Sequence, residues 1–229
     1  MNNKHKVSIR NYWRMYKARG LKLPFYYFFQ AHLFDLLHKT DTHTWLPKDS
    51  YPEDIVNLEH GVMYMCSWTS EIKRAFRSVS SLLGNDFEKY NFIDVGCGKG
   101  KVVAVWHKQC EKYQTTQNII GIDYHPALIE TARDNHLRLF NVPGKFYKLD
   151  ATQLEFRDFG ERLIIYLYNP FDAKVMTQML KRLKDLTVIV IYNNPTHSKV
   201  FKDQGWNALV QHNGFHPNLH TIIYTNQSL

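Results

Sequence analysis

FIDVGCGKG, residues Phe92 to Gly100, is the stretch whose reading decides the fold. Phe92, Ile93 and Val95 form a short apolar run suited to a buried β-strand, and Asp94 places an acid inside it. Gly96, Gly98 and Gly100 then form a turn whose backbone can take positive φ and approach a ligand closely. The run that follows, KVVAVWHKQC, is helix-like, and the first turn of a helix offers unpaired N–H groups to an anion. Strand, glycine turn and helix in that order predict an α/β sheet with a cofactor at the turn.

Two details separate the cofactor classes. The dinucleotide fingerprint needs its third glycine three places after the second, where this chain has Lys101, and the glycines here alternate instead as G-x-G-x-G. Asp94, two residues before Gly96, would repel a pyrophosphate and attract an ammonium. Both points disfavour a nicotinamide-dependent dehydrogenase. S-adenosylmethionine has a cationic amine for the acid and a carboxylate for the helix N-terminus, along with a ribose and an adenine.

Outward from the turn, NIIGIDYHP (Asn118–Pro126) is a second apolar strand ending in Asp123, and Pro126 suits the first turn of a helix. An acid at that strand end, about twenty residues past the glycines, is placed to grip a ribose diol. KFYKLDA ends in Asp150 and Ala151, where a carboxylate can accept a hydrogen bond from the exocyclic amine of adenine. One strand-end acid is commonly a turn or helix cap. Three in register at successive strand ends are hard to explain that way.

These segments resemble the Rossmann-like, seven-strand family of S-adenosylmethionine-dependent methyltransferases. FIDVGCGKG is similar to its glycine motif, GIDYHP to its ribose-binding motif and LDA to its adenine-side motif, and the resemblance runs from about Cys66 to the C-terminus. It implies an α/β domain over residues 66–229, with a mostly parallel seven-stranded twisted sheet, helices on both faces and an antiparallel C-terminal hairpin. It further implies that Asp94, Gly96, Gly98 and Gly100 contact the methionine side of the cofactor, Asp123 the ribose and Asp150, beside Ala151, the adenine. Cys97 and Tyr124 would line the same cleft.

The rest of the chain fits that expectation. Strand and helix patterns exchange through 92–113, 118–140, 145–158, 162–184 and 186–204, which predicts a parallel sheet with ligands at the carboxyl ends of its strands. WNALVQH and HTIIYTN are joined by NGFHPNL, too short for a crossover helix, and should pair antiparallel at a sheet edge. The fourth strand, RLIIYLYNPF, brings Tyr168 to Phe171 to the cleft.

Its N-P-F end is similar to the N-P-P-aromatic motif of amino-group methyltransferases, with one proline missing. That likeness implies that the Asn169 side-chain oxygen and the Pro170 carbonyl accept hydrogen bonds from an amine while Phe171 stacks on it, Asn169 also reaching the cofactor. The missing proline weakens the fit to a flipped nucleobase. Asn-Pro after a strand is also an ordinary turn signal, as the second copy at Tyr192 to Pro195 illustrates. The expected reaction is methyl transfer to a nitrogen nucleophile, a protein lysine or a small amine. A nucleic acid acceptor is the alternative within the enzyme class, and a non-catalytic S-adenosylmethionine-binding module is the alternative outside it. Tyr64 either closes over the methionine end of the cofactor or simply packs.

The net charge of +8 belongs to one end of the chain. Lys4, Lys6, Arg10, Arg14, Lys17, Arg19 and Lys22 all precede the first acid, Asp35, leaving the remainder near neutrality. Ile9, Trp13 and Tyr16 recur at helical spacing beside Arg10, Arg14 and Lys17, which predicts a basic amphipathic helix. Such an arm either docks on an acidic partner (nucleic acid, anionic lipid or an acidic protein) or serves only solubility. FYYFFQAHLFDLL, residues 25–37, is broken by Gln30, His32 and Asp35, so it is expected to pack on the catalytic domain as a helix and roof its cleft, not to cross a bilayer. Residues 1–65 thus read as a basic and aromatic helical extension, with an irregular linker over 40–61. Cys66, Cys97 and Cys110 lack metal-ligand spacing and form no disulfide framework, and His212, His216 and His220 straddle a hairpin loop, so no metal is expected. Without a signal-peptide pattern or a membrane-spanning run, a reducing cytoplasm is the expected location.

Overall fold

The computed structural model describes residues 9–44 and 64–227. The apolar runs form the five parallel strands β1 (Asn91–Val95), β2 (Ile119–Asp123), β3 (Lys145–Lys148), β4 (Arg162–Tyr168) and β5 (Thr187–Asn193). β6 (Asn207–His212) and β7 (Thr221–Thr225) complete one seven-stranded sheet of order β3-β2-β1-β4-β5-β7-β6. The hairpin is antiparallel as expected, but β7 pairs with β5 through Asn193↔Thr221 and inserts between β5 and the edge strand β6.

Nearly every residue of β4 and β5 is buried, because helices cover both faces of the sheet. On one face Ile93, Leu163, Ile165 and Val190 pack with Val175, Met176 and Met179 of α7 (Ala173–Arg182). On the other, Phe92, Ile164 and Ile191 meet Ile72, Phe76 and Val79 of α4 (Thr69–Leu83) and Trp106 of α5 (Lys101–Tyr113), where the Phe92 and Trp106 rings stack at 3.9 Å. Burying one side chain of this size stabilises by roughly 1.5–3 kcal/mol. Pro126 occupies the first turn of α6 (Pro126–Phe140), where its missing N–H is no loss. β1 has β2 on one side and β4 on the other, so the chain changes direction across the sheet there, and a crevice opens at their carboxyl ends.

One expected element differs. After β3 the chain forms no α-helix. The Asp150 side chain accepts hydrogen bonds from the backbone N–H and hydroxyl of Thr152, both at 2.8 Å, which sets a local turn in competition with a helix. A 3₁₀ turn at Phe156–Phe159 then drops Phe156 into the core beside Leu154, and Gly160 at φ 121° redirects the chain into β4.

The extension is helical where it is described. α1 (Ile9–Arg19) matches the amphipathic segment, and α2 (Lys22–Tyr27), a π turn (Phe28–His32) and α3 (Leu33–His38) follow one another without a break. Phe34 is buried with Ile72, Ala75 and Phe76, so the aromatic segment does pack on the sheet domain. Most of the linker expected over 40–61, together with Lys4 and Lys6, lies outside the described residues. α8 (Ser198–Asp203) completes the described helices and buries Phe201.

Candidate active site

The glycine turn has the backbone its composition predicts, with φ of 80° at Gly96, 51° at Gly98 and 79° at Gly100. It is fixed to β2, since the N–H groups of Gly96 and Cys97 both donate to the Ile122 carbonyl at 2.8 and 2.9 Å. Protein atoms press on all three glycines. A Cβ at Gly96 would stand 2.9 Å from Pro170, and one at Gly100 would meet Ala132 and Phe146 at 3.0 and 3.1 Å. At Gly98 it would fall 2.0 Å from the Tyr64 ring. Tyr64 therefore lies over the turn, and its hydroxyl donates to the Thr42 carbonyl at 2.5 Å.

The predicted acids sit in unlike surroundings. Asp94 is buried in β1, in register with Tyr166 of β4, and its Oδ2 has no hydrogen-bond partner among the described residues. Burial, and then the neighbouring Asp123, push its pKa well above the usual carboxylate range. Asp123 faces the cleft from the end of β2, where Oδ2 accepts from Gly98 N–H at 2.8 Å and Oδ1 from His125 N–H at 2.9 Å. Burial raises it to about 6, and those backbone bonds oppose the rise. The Tyr168 hydroxyl is also buried without a partner among the described residues. Asp150 does not line the cleft and bonds its own turn, whereas Ala151 beside it does line it. Cys97 is turned away into the packing of Val103, Ile129, Ala132 and Phe146, and burial raises its thiol pKa.

Tyr124, Asn169, Pro170 and Phe171 all line the cleft, joined by Tyr64, Met65, Tyr168 and Asn194. Asn169 takes a positive φ of 41°. Its Oδ1 accepts from the Thr196 hydroxyl at 2.5 Å and from the Tyr192 hydroxyl at 3.3 Å, so the atom expected to receive an amine is held from within the protein. Phe171 is buried and packs in the core as well as facing the cleft. The second Asn-Pro copy reaches the site as well: Asn194, at φ 51°, lines the cleft, and Thr196 directly after Pro195 bonds Asn169. Asp123 is the only Asp, Glu, Lys, Arg or His among the described lining residues.

The segment after α3 is tied to the glycine turn. Buried Asp35 gathers Thr40 Oγ1 at 2.6 Å, the N–H groups of Thr42 and His43 at 2.8 Å each, and the His43 ring. The compact turn thereby formed brings Asp41 to the ammonium of Lys99, 3.1 Å away, and Asp41 N–H to Asn135. Lys101, whose identity had argued against a dinucleotide, is buried and donates to the Gln30 carbonyl at 2.5 Å. Residues 40–43 are thus tied to the glycine turn through Tyr64 and Lys99, while the aromatic segment packs on the sheet domain as expected and gives no residue to the described lining of the cleft it was expected to roof. Of the three histidines, His216 stacks on Trp68 and His220 bonds the Gly214 carbonyl. No group of side chains able to hold a metal occurs among the described residues.

A buried carboxylate oxygen with no partner suits a cationic ligand group, since a lone buried charge is otherwise heavily penalised. Of the predicted methionine-side residues Gly96 alone is among the described lining of the cleft, with Asp94 buried two residues before it and Gly98 and Gly100 covered by Tyr64, Ala132 and Phe146; with Asp123 facing the cleft one strand away, the residues fit S-adenosylmethionine. This sheet order, with its inserted antiparallel β7, and this cleft define a Rossmann-like methyltransferase. A family model described as a methyltransferase domain matches residues 86–215, more than half of the chain, which belongs to that family and is an S-adenosylmethionine-dependent methyltransferase. Among solved structures, the methyltransferase domain of bacterial CtHen1-C is similar in fold, with a TM-score of 0.50 and 15% identity over 70% of this chain and 98% of that one. Magnesium protoporphyrin IX methyltransferase (ChlM) from Synechocystis PCC 6803 with bound SAM matches with a TM-score of 0.46 and 15% identity, over 69% of this chain and 81% of that one. An RNA methyltransferase from Salinibacter ruber in complex with S-adenosyl-L-homocysteine matches with a TM-score of 0.45 and 17% identity, over 67% and 90%. No curated protein matches the chain.

Proposed function

We propose that this enzyme methylates a nitrogen nucleophile, a protein lysine or a small amine, at the cleft between the glycine turn and the N-P-F strand end. The observation that carries the cofactor side is the unpartnered buried Oδ2 of Asp94. Asp94 would hold the cofactor ammonium, Gly96, Gly98 and Gly100 would allow the methionine end to approach, and Asp123 would take the ribose. Ala151 and Tyr124 would wall the base. Asp150 reaches the adenine only if its turn with Thr152 opens, and Cys97 supports the turn from behind.

When bound, S-adenosylmethionine supplies an electrophilic methyl carbon, so the protein's task is alignment and exclusion of water. Tyr168 and Pro170 crowd the mouth, and Tyr192 and Thr196 fix Asn169. With Asn169 Oδ1 already engaged, the amine-accepting role falls first to the Pro170 carbonyl. No lysine or histidine lines the described cleft to serve as a base, which favours a nucleophile that arrives neutral, as a desolvated amine can. Three cysteines that are all free and buried are consistent with a reducing compartment such as the cytoplasm.

The test has two arms. A melting scan with S-adenosylhomocysteine at about a hundred times its dissociation constant should raise the midpoint by roughly 5–10 °C, and NAD should not. Transfer of labelled methyl from S-adenosylmethionine to a panel of amines, polypeptides and RNA should label nitrogen in an amine or lysine. A shift with NAD alone overturns the cofactor assignment, and label found only in RNA, or on oxygen or carbon, overturns the acceptor assignment.

A further inference from the structure

The N-terminal helices carry an exposed surface outside the described lining of the cleft. No residue of α1 is buried. Ile9, Trp13 and Tyr16, at positions i, i+4 and i+7, form one outward stripe with exposures of 89%, 56% and 40%. Arg10, Arg14 and Lys17 each follow one residue later and flank that stripe along its length. Past Gly20, Leu21, Phe25 and Leu36 are exposed as well, by 76%, 62% and 71%. Single exposed apolar residues are ordinary, but a concentration of this kind on one segment marks an interaction surface.

The opposite side of the arm is held. Arg19 donates to the Phe215 carbonyl at 3.0 Å, and the Lys22 ammonium lies 4.2 Å from the Phe215 ring centre. Met15 and Tyr26 pack with Leu23, Trp68 and Leu219. The loop they grip, between β6 and β7, bonds the cleft through Asn194 N–H, which donates to the His220 carbonyl at 2.8 Å. The stripe is therefore presented from a fixed position on the same edge of the sheet as the cleft mouth.

We propose that this arm docks the enzyme on an anionic lipid bilayer, α1 lying in the headgroup plane with Trp13 and Phe25 inserted. Charge complementarity selects that occupant, since no acid precedes Asp35 and the cations border the apolar stripe as they do on helices that lie in a membrane interface. A nucleic acid would engage the cations and the rings but gains nothing from Ile9, Leu21 and Leu36, which are aliphatic. α1 has 11 residues and lies on the surface, and no described helix is long and apolar enough to cross a membrane.

The test is flotation of the full chain with vesicles of equimolar phosphatidylcholine and phosphatidylserine, against phosphatidylcholine alone and against a single-stranded RNA. Binding is expected to the anionic vesicles only. The triple variant Arg10→Gln, Arg14→Gln, Lys17→Gln should lose on the order of 100-fold in partitioning. Trp13→Glu, which removes no cation, should lose roughly ten-fold or more. Each variant is first shown to keep its melting shift with S-adenosylhomocysteine, so lost lipid binding is not lost folding. Failure to float with anionic vesicles overturns the proposal, as does full lipid binding by Trp13→Glu. RNA binding stronger than vesicle binding assigns the arm to a nucleic acid and overturns it as well.

Discussion

Asp94 places two demands in opposition at one residue. In the free protein its carboxyl is buried with no partner for Oδ2 and lies near a second acid, so it weakens the fold whenever it ionises. In the complex, on the proposed reading, the same atom takes the cofactor ammonium. Asp94→Asn should therefore raise the melting midpoint of the free protein at neutral pH and weaken S-adenosylhomocysteine by roughly 10- to 100-fold, the loss of one charge-assisted hydrogen bond. Calorimetric titration alongside a melting scan checks both halves, and a variant that loses affinity and stability together would count against this role. The placement of Asp94 and Asp123 in their strands was legible because each ends or nearly ends an apolar run, where backbone direction fixes the side chain. Cys97 was not, because it stands between two glycines of positive φ, and those dihedrals aim its sulfur at Gly121 and the core. Asp150 was half legible: the acid is where the pattern puts it, yet Thr152 two residues on supplies a closer partner.

The glycine turn as an element does more than admit a ligand, for its open faces also receive Pro170, Tyr64 and the Ala132–Phe146 pair. A double-mutant cycle separates these uses. Gly98→Ala should cost about 1–2 kcal/mol from its positive φ alone, with about 1–3 kcal/mol added for displacing Tyr64. In a Tyr64→Ala background only the first part should remain, so the cycle should show a coupling of at least 1 kcal/mol in urea unfolding. Equal costs in the two backgrounds would mean that the ring does not rest on the turn. The alternation of strands and helices announced the sheet because each period buries one face. The cover over the turn was hidden because it depends on contacts far apart in sequence, such as Lys99 with Asp41 and Lys101 with Gln30. The helix expected after β3 failed for a local reason, the Asp150 turn.

At the scale of the whole molecule, Asp94 and Asp123 link proton binding to folding and, on the proposed reading, to cofactor binding. Both have folded-state pKa values raised above an ordinary carboxylate, Asp123 to about 6. The folded free protein therefore holds protons that the unfolded chain has released, for Asp123 between about pH 4 and 6 and for Asp94 from about pH 4 upward, and the stability these two acids contribute is lost as pH rises through those ranges. Asp35 works in the other direction: its hydrogen bonds with His43 and the Thr40 and Thr42 hydroxyls outweigh burial and hold its pKa below the usual range, so its contribution disappears in acid. A melting curve of the free protein mixes the two trends. The stabilisation added by ligand separates them, because on the proposed reading an ammonium at Asp94 and a ribose diol at Asp123 both favour the ionised acids while Asp35 stays bonded throughout. S-adenosylhomocysteine affinity should accordingly fall by about tenfold or more from pH 7 to pH 5, and its melting shift should shrink in step. Binding near pH 6 should release protons, seen as an apparent enthalpy that differs between buffers of high and low ionisation heat. Asp123→Asn should bind weakly with a flatter pH profile, whereas an unchanged slope in that variant would move the linkage to another group.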